Sequence, residues 1–444
     1  MDSDMQHAFA GPLNDFLAEI NGLAISLPIL MRSIGKSHKE ALNNVRAFLE
    51  KNGILLTRES DEDKGSAITK RAYQVSFDHF YDLETLRSVA TNFTAASTVI
   101  PRSFTVAMVS QFDAFLGRII KAIYITKPEL LNSSEKNISF SNLTQFKSID
   151  DAREFIIEKE IESFLRESHA EQFEILERKL GMELRKGLDI WPVFIELTER
   201  RNLFVHTSGR VSSQYINVCQ KHKIKLEKEY KTGDALDADP VYFNQSYNCL
   251  FEISTKLAQV LWRKLIPSEL DHADGHLNSI CYDLLKGEQY DLANNLLSFA
   301  VNLPRHSSQR ERLVFVVNNA IALKWGSSQE EAMDLLSKVD WSACNDQFKI
   351  AVAAIEEKYD EAVEIMQRIG KDGVVTKPDY KDWPAFRDFR KTPEFLKTFQ
   401  NIFGESLEVV ELSSNDTIQL IDADENLDRD DVKDVTIPPG DSLV

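Results

Sequence analysis

The stretch "SFTVAMVSQFDAFLGRIIKAIY" (residues 103–124) decides the fold class, because its apolar residues recur at helical spacing. They form one broad face made of Val106, Val109, Phe112, Phe115, Leu116, Ile119 and Ile120. Arg118 and Lys121 lie near the edge of that face. An apolar face this wide is typical of a helix buried against others. The pattern therefore predicts a core helix that begins near Pro101.

Outward from this helix, the same spacing covers most of the chain and predicts an all-α fold. Helices are expected within 1–56 and over about 82–94, 150–168, 171–184, 189–206 and 241–265. One segment departs from this pattern. "GILLT" and "AITKRAYQVSF" flank the charged turn at 57–66, and they predict a small β-hairpin near the N-terminus.

A repeated pattern begins beyond residue 268. Tyr290, Ala293 and Ala300 follow the spacing of the second helix of a helical hairpin, and Ala332 and Ala362 mark two further copies. The copies recur roughly every 30–40 residues, so the region resembles degenerate tetratricopeptide repeats. Small residues at these positions let two helices approach closely. A generic helical bundle with chance alanines is the alternative interpretation.

Four regions are predicted along the chain: a mainly helical region over 1–95, a helical bundle over 96–266, the repeats over 268–404 and an acidic tail over 405–444. The formal charge of -18 argues against a non-specific nucleic-acid binder. Twelve of the carboxylates lie in the tail beside only Arg429 and Lys433, so a basic site in the body remains open. The tail is expected to be disordered, because it is acidic and poor in aromatic residues. A calcium loop at "DADENLDRDDVK" is disfavoured, because it lacks the required Gly and Glu.

The four cysteines and the N-terminus bear on the compartment. Cys219, Cys249, Cys281 and Cys344 are widely spaced, which favours buried free thiols in a reducing cytosol. The apolar run from Gly22 to Met31 is short and contains Pro28, so neither a signal peptide nor a membrane span is expected. The sequence thus predicts a cytoplasmic protein without membrane contact.

The segment "TERRNLFVHTSGRV" (198–211) is the candidate site. Asn202 and His206 are four residues apart and share a helical face, whereas Arg201 and His206 are about 140° apart. Arg201 would therefore reach the space beside His206 through its long side chain. Asp189 is expected to cap the start of this helix, and Gly209 is expected to end it in a left-handed conformation.

The longer segment "RRNLFVHTSGRVSSQYI" (200–216) resembles the HEPN superfamily, in its form R-(N/H)-x-x-V-H-x-x-G-x-V-x-x-x-(Y/F). "MVSQFDAFLGRII" fits the family's first long helix and 241–265 fits its last, so the resemblance covers roughly 96–266. It implies a bundle of four to five helices that forms a homodimer. It further implies that two motifs face each other and make one composite, metal-independent ribonuclease site.

The resemblance implies a catalytic role for Arg201, Asn202 and His206, with no cofactor and no metal. RNA cleavage can use its own 2'-hydroxyl as the nucleophile. His206 would then move a proton, Arg201 would hold the scissile phosphate, and Asn202 would orient the phosphate or the imidazole. Five further cations are candidates for RNA contact: Arg200, Arg210, Lys221, Lys223 and Lys225.

The implied function is an endoribonuclease of the toxin or anti-phage defence type, with a protein partner or antitoxin on the repeats. Two alternatives stay open. In the first, Arg201 and His206 only cap a helix C-terminus, where cations are favoured. In the second, the bundle binds RNA or a protein as a non-catalytic scaffold. A zinc site at "DHADGH" (271–276) is disfavoured, because Gly275 is expected to break the helix and an interdomain turn is predicted there.

Overall fold

The computed structural model describes residues 7–60, 69–133 and 138–407. Within these residues the chain forms sixteen α-helices and one two-stranded sheet, which confirms the predicted all-α class. The chain divides into two compact units, Met1–Leu336 and Ser337–Val444. The expected disorder of the acidic tail concerns residues that lie almost entirely outside the described part of the chain.

The first unit begins with a long helical hairpin. Helix α1 (Ala10–Asn52) leads into strands β1 (Gly53–Ser60) and β2 (Thr69–Val75), and helix α2 (Phe77–Thr126) follows. The strands are antiparallel, with Gly53 opposite Val75, so the predicted β-hairpin is confirmed.

Helix α2 does not begin at Pro101, and this prediction was wrong. Pro101 lies buried inside a helix of 50 residues, where it removes one backbone hydrogen bond. The Thr105 hydroxyl donates to the Pro101 carbonyl oxygen at 3.0 Å. Packing of α2 along α1 and against the bundle outweighs the local cost of the proline. The boundary expected at 95/96 consequently falls within one continuous helix.

Helix α1 likewise continues through Pro28, so the apolar run from Gly22 to Met31 is not interrupted. By length and composition alone, α1 is the one helix in the described part of the chain that could cross a membrane. Its first turns, however, contribute Phe16, Leu17 and Ile20 to the protein core.

Ten further helices in the described part of the chain complete the first unit, and several of them pack around the base of this hairpin. They are α3 (Phe140–Leu143), α4 (Ile149–Arg166), α5 (His169–Leu180), α6 (Trp191–His206), α7 (Ser213–Lys221), α8 (Pro240–Leu265), α9 (Leu270–Lys286), α10 (Tyr290–Val301), α11 (Gln309–Trp325) and α12 (Gln329–Ser337). The predicted apolar face of α2 is buried, with Val106 partly exposed. Phe112 packs edge-on against Phe194 of α6, with ring centroids 5.1 Å apart. The stretch 103–124 is thus the central helix of the bundle.

The second unit contains α13 (Asp346–Ile355), α14 (Tyr359–Ile369), α15 (Lys377–Asp382) and α16 (Pro393–Phe403). The region predicted as repeats, 268–404, is therefore divided between the two units. Its marker alanines, Ala293, Ala300, Ala332 and Ala362, are all fully buried on helices, as close helix packing requires. Their assignment to tetratricopeptide-like repeats stays a prediction.

Candidate functional site

The candidate motif occupies the last turns of α6. Leu197 and Leu203 bury one side of this helix, while His206 ends it in solvent. The predicted cap at Asp189 is wrong: Ile190 is the N-cap residue and makes no side-chain cap hydrogen bond. Pro192 supplies the preset backbone angle that favours the first turn.

The C-cap residue of α6 is Thr207 and not Gly209, although Gly209 follows two residues later in the predicted left-handed conformation. The amides of Thr207 and Gly209 both donate to the Leu203 carbonyl oxygen, at 2.9 and 3.0 Å. Gly209 has φ +76°, and a Cβ there would lie 2.6 Å from the Leu236 carbonyl oxygen. The turn after His206 therefore requires glycine both for its conformation and for close packing.

Gly209→Ala should cost at least about 1 kcal/mol more than Gly181→Ala in the free energy of unfolding. Gly181 is the matched control, because it also has a positive φ (+62°) but open space around it. Both changes carry the strain of a left-handed alanine, and only Gly209→Ala adds the steric clash. Urea denaturation of the two variants measures the difference, and equal losses would contradict the packing argument.

Arg102 holds the same turn from α2. Its guanidinium donates to the carbonyl oxygens of Ser208 (2.9 Å) and Leu236 (3.1 Å), and it forms an ion pair with Asp237. Its guanidinium also lies 5.6 Å from the ring centre of Phe204. Arg102 thereby fixes the end of α6 to α2, a role the sequence pattern did not reveal.

Arg201 is held by a carboxylate on α2. Its Nη2 donates to Asp113 Oδ2 at 2.7 Å, and the His169 imidazole hydrogen bonds through Nε2 to Asp113 Oδ1 at 2.8 Å. Burial raises the pKa of nearby Glu199, although His169 and Arg201 act to lower it. Two acidic and two basic side chains thus meet beside the motif arginine.

Asp113 and His169 were missed at the level of sequence. The one available signal was that Asp113 is the only acidic residue within the apolar stretch 103–124. His169 offered none, because it lies 56 residues from Asp113 at the start of a different helix.

The other two motif residues are less constrained. His206 is exposed and Asn202 is partly buried, and within the described residues neither side chain has a hydrogen-bonding partner. His206 lies five residues beyond Arg201, roughly 7–8 Å further along the helix axis. The structure therefore shows one anchored cation and two accessible polar groups on the same helix end.

The weak RNA-contact candidates divide into two groups. Arg200 is buried, where its Nε donates to Glu196 at 2.7 Å and its guanidinium stacks 3.8 Å from the centre of the Tyr242 ring. Burial lowers the pKa of Arg200, but Tyr242 and Glu196 raise it by more. Arg200 is thus part of the interior. The structure contradicts the expectation that Arg200 contributes to a surface that contacts RNA.

The remaining four cations lie at the surface: Arg210, Lys221, Lys223 and Lys225. Arg210 donates to the Gly233 carbonyl oxygen at 3.2 Å. Lys221 is the last residue of α7, and in the non-helical segment after it the partly buried Ile224 and Leu226 alternate with Lys223 and Lys225. This alternation directs lysines toward solvent near the motif.

"DHADGH" is not a turn, so that expectation was wrong. Gly275 lies inside α9, whose packing maintains the helix through it. Asp274 is completely buried and pairs with Arg263 at 2.8 Å, while His276 Nε2 hydrogen bonds to Asn14 at 2.8 Å. Within the described residues, no group of His, Cys, Asp and Glu side chains is arranged to hold a metal ion.

Comparison with known proteins found no matching family model, no matching curated protein and no matching solved structure.

Proposed function

We propose that this protein is a cytoplasmic, metal-independent endoribonuclease of the HEPN type, acting as a toxin or anti-phage effector. The observation that best supports this proposal is the arrangement at the end of α6, where Arg201 is anchored by Asp113 and His206 is exposed. An anchored guanidinium and an accessible imidazole on the same helix end supply the two groups of a reaction that needs phosphate charge stabilised and a proton moved.

In the proposed reaction the RNA supplies its own nucleophile. The 2'-hydroxyl oxygen attacks the adjacent phosphorus, the bond to the 5'-oxygen breaks, and a 2',3'-cyclic phosphate results. His206 takes the proton from the hydroxyl or gives one to the leaving oxygen. Arg201 uses one N–H on Asp113, and a guanidinium carries five, so others remain for phosphate oxygens.

A single helix end carries one histidine, whereas this reaction needs both a base and an acid. The proposed enzyme therefore acts as a homodimer through the bundle, with two motifs facing one cleft. Asn202, four residues before His206, would orient the phosphate or the imidazole. The solvent-facing Lys223 and Lys225 would follow the RNA backbone.

The deciding experiment is cleavage of total RNA by wild-type protein and by His206→Ala, each with and without a chelator. Cleavage should survive the chelator and fall at least about 100-fold in the variant, because general acid–base catalysis contributes at that scale. His272→Ala, which alters a 73% exposed histidine on α9, is the matched control and should cleave normally.

The second candidate is a non-catalytic scaffold that binds RNA or a protein partner, such as an antitoxin on the repeat region. The ion pair between Arg201 and Asp113 favours this scaffold, because the carboxylate already neutralises the charge of the arginine. Equal behaviour of wild type and His206→Ala, with no cleavage by either, would support this candidate.

A further inference from the structure

The α1–α2 hairpin continues well beyond the helices that pack around its base, and we call residues 22–100 the arm. Within the arm, the buried apolar residues of α1 are Leu27, Ile34 and Ala41, each seven residues apart. Those of α2 are Leu83 and Ala90, also seven apart. This spacing is that of a coiled-coil seam between two helices. One seam therefore holds the arm together, and the other sides of both helices are left uncovered.

The uncovered sides of the arm are apolar to an unusual degree. Of eighteen large hydrophobic residues exposed in the described part of the chain, eleven lie in the arm. They are Ile25, Ile29, Leu30, Leu42, Ile54, Leu55, Phe77, Phe80, Tyr81, Val89 and Val99. Since the arm is less than a fifth of the chain, this concentration marks an interaction surface.

Summed over all its sides, the arm exposes an apolar area comparable to that of one partner in a stable complex. Phe77 and Tyr81 are 91% and 81% exposed, and large aromatic side chains can each bury about 150–250 Å². With the nine aliphatic and aromatic neighbours, the arm offers on the order of 1,000 Å² of apolar surface. A specific protein interface needs about 800 Å² from each partner.

The arrangement of charges disfavours a lipid bilayer as the occupant. Ile25, Ile29, Arg32 and Lys36 follow one another at spacings of four, three and four residues, so they share one face of α1. A helix that lies in a membrane surface keeps its apolar and cationic residues on opposite faces. In the arm, sinking the isoleucines into lipid would also immerse the cations.

The net charges of the two arm helices favour a second copy of the chain. The α1 part of the arm, 22–52, has five Lys/Arg and two Asp/Glu, a net +3. The α2 part, 77–100, has one Arg and three Asp/Glu, a net −2. If two arms pack about a two-fold axis parallel to their length, each α1 lies beside the partner's α2, and opposite charges alternate around the four helices.

We propose that the arm is a second self-association surface in addition to the bundle, through which two copies pack with their arms parallel. This arrangement also brings the bases of both arms together. At each base, Arg102 fixes the end of α6 to α2, so the two His206 ends approach the same side of the assembly. That last consequence rests on the proposed ribonuclease function, whereas the self-association does not.

The test is sedimentation velocity on the full-length protein across micromolar concentrations. Wild type should dimerise, and Ile29→Asp and Val89→Asp should each raise the dimer dissociation constant at least tenfold. Ile149→Asp and Val374→Asp are the matched controls, because these residues are 69% and 56% exposed outside the arm. Circular dichroism and thermal unfolding check that each variant remains folded.

Three results would overturn the proposal. The first is a monomeric wild type, and the second is dimerisation of folded arm variants with unchanged affinity. The third is flotation with phosphatidylcholine–phosphatidylglycerol vesicles that the arm substitutions abolish, which would assign the arm to a membrane. RNA cleavage by wild type and by His206→Ala is measured in a separate assay. Failure of the arm proposal and failure of the proposed ribonuclease function can therefore be distinguished.

Discussion

Glu196→Ala should lower the free energy of unfolding by about 3–5 kcal/mol, the scale for breaking a buried ion pair. The Glu196 side chain is 8% exposed and accepts hydrogen bonds from Arg200 Nε (2.7 Å), Tyr215 (2.6 Å) and Tyr242 (2.9 Å). Alanine would leave a buried guanidinium without a counter-charge and two buried hydroxyls without an acceptor. Urea denaturation followed by circular dichroism measures the loss.

Two comparisons isolate the cause of this loss. Glu183→Ala removes a carboxylate from an exposed pair with Lys186 and should cost less than about 1 kcal/mol. The double change Glu196→Leu with Arg200→Met removes both buried charges and should recover much of the stability. If the double variant is no more stable than Glu196→Ala, the unpaired guanidinium is not the source of the cost.

The two adjacent arginines of the motif thus have separate roles, because consecutive helical residues point about 100° apart. Arg200 faces inward and ties α6 to the tyrosines of α7 and α8. Arg201 points toward α2 and remains partly exposed to solvent. The hydrogen bonds from Tyr215 and Tyr242 to Glu196 help to fix the rotation of α6, and that rotation determines where Arg201 and His206 lie.

Local periodicity was sufficient to predict most helices, because a buried face leaves its spacing in the sequence. The apolar face over 103–124 is a clear case, since its burial follows directly from the pattern. The β-hairpin was similarly visible, because strand-like segments flank a polar turn.

Helix ends were predicted less well where tertiary packing outweighs local preference. Pro28, Pro101 and Gly275 each disfavour a helix locally, yet each lies within one. The long contact of α1 with α2 supplies the compensating stabilisation for the two prolines. Helix-breaking residues therefore led to the predicted helix start near Pro101 and the predicted turn at Gly275, both of which lie inside continuous helices.

Only the part of the candidate site that lies on one helix could be predicted from the sequence. Arg201, Asn202 and His206 come from one turn and a half of α6, so their spacing could be read directly. Asp113 lies 88 residues from Arg201 in sequence, and no local pattern links the two. The charge environment of a site comes from such long-range pairs, which require the fold.

For the proposed ribonuclease, Asp113→Ala should reduce RNA cleavage by about 10–100-fold, because a small misplacement of a catalytic group carries a cost of that size. The carboxylate joins Arg201 to His169, and without it the guanidinium loses its fixed position. The stability cost should be modest, since the Arg201 and Asp113 side chains are 21% and 29% exposed. Initial cleavage rates of a labelled RNA, with kcat and KM determined separately, measure the effect.

The separation of kcat from KM distinguishes positioning from simple folding. A loss confined to kcat indicates that Arg201 is misplaced in the transition state. Glu154→Ala, which breaks the exposed pair with Lys121 of the same helix α2, is the matched control and should leave both parameters unchanged. Unchanged cleavage by Asp113→Ala would remove Asp113 from the site. Faster cleavage would mean that the carboxylate restrains Arg201 in the resting protein, and phosphate would then have to compete with Asp113 for the same guanidinium.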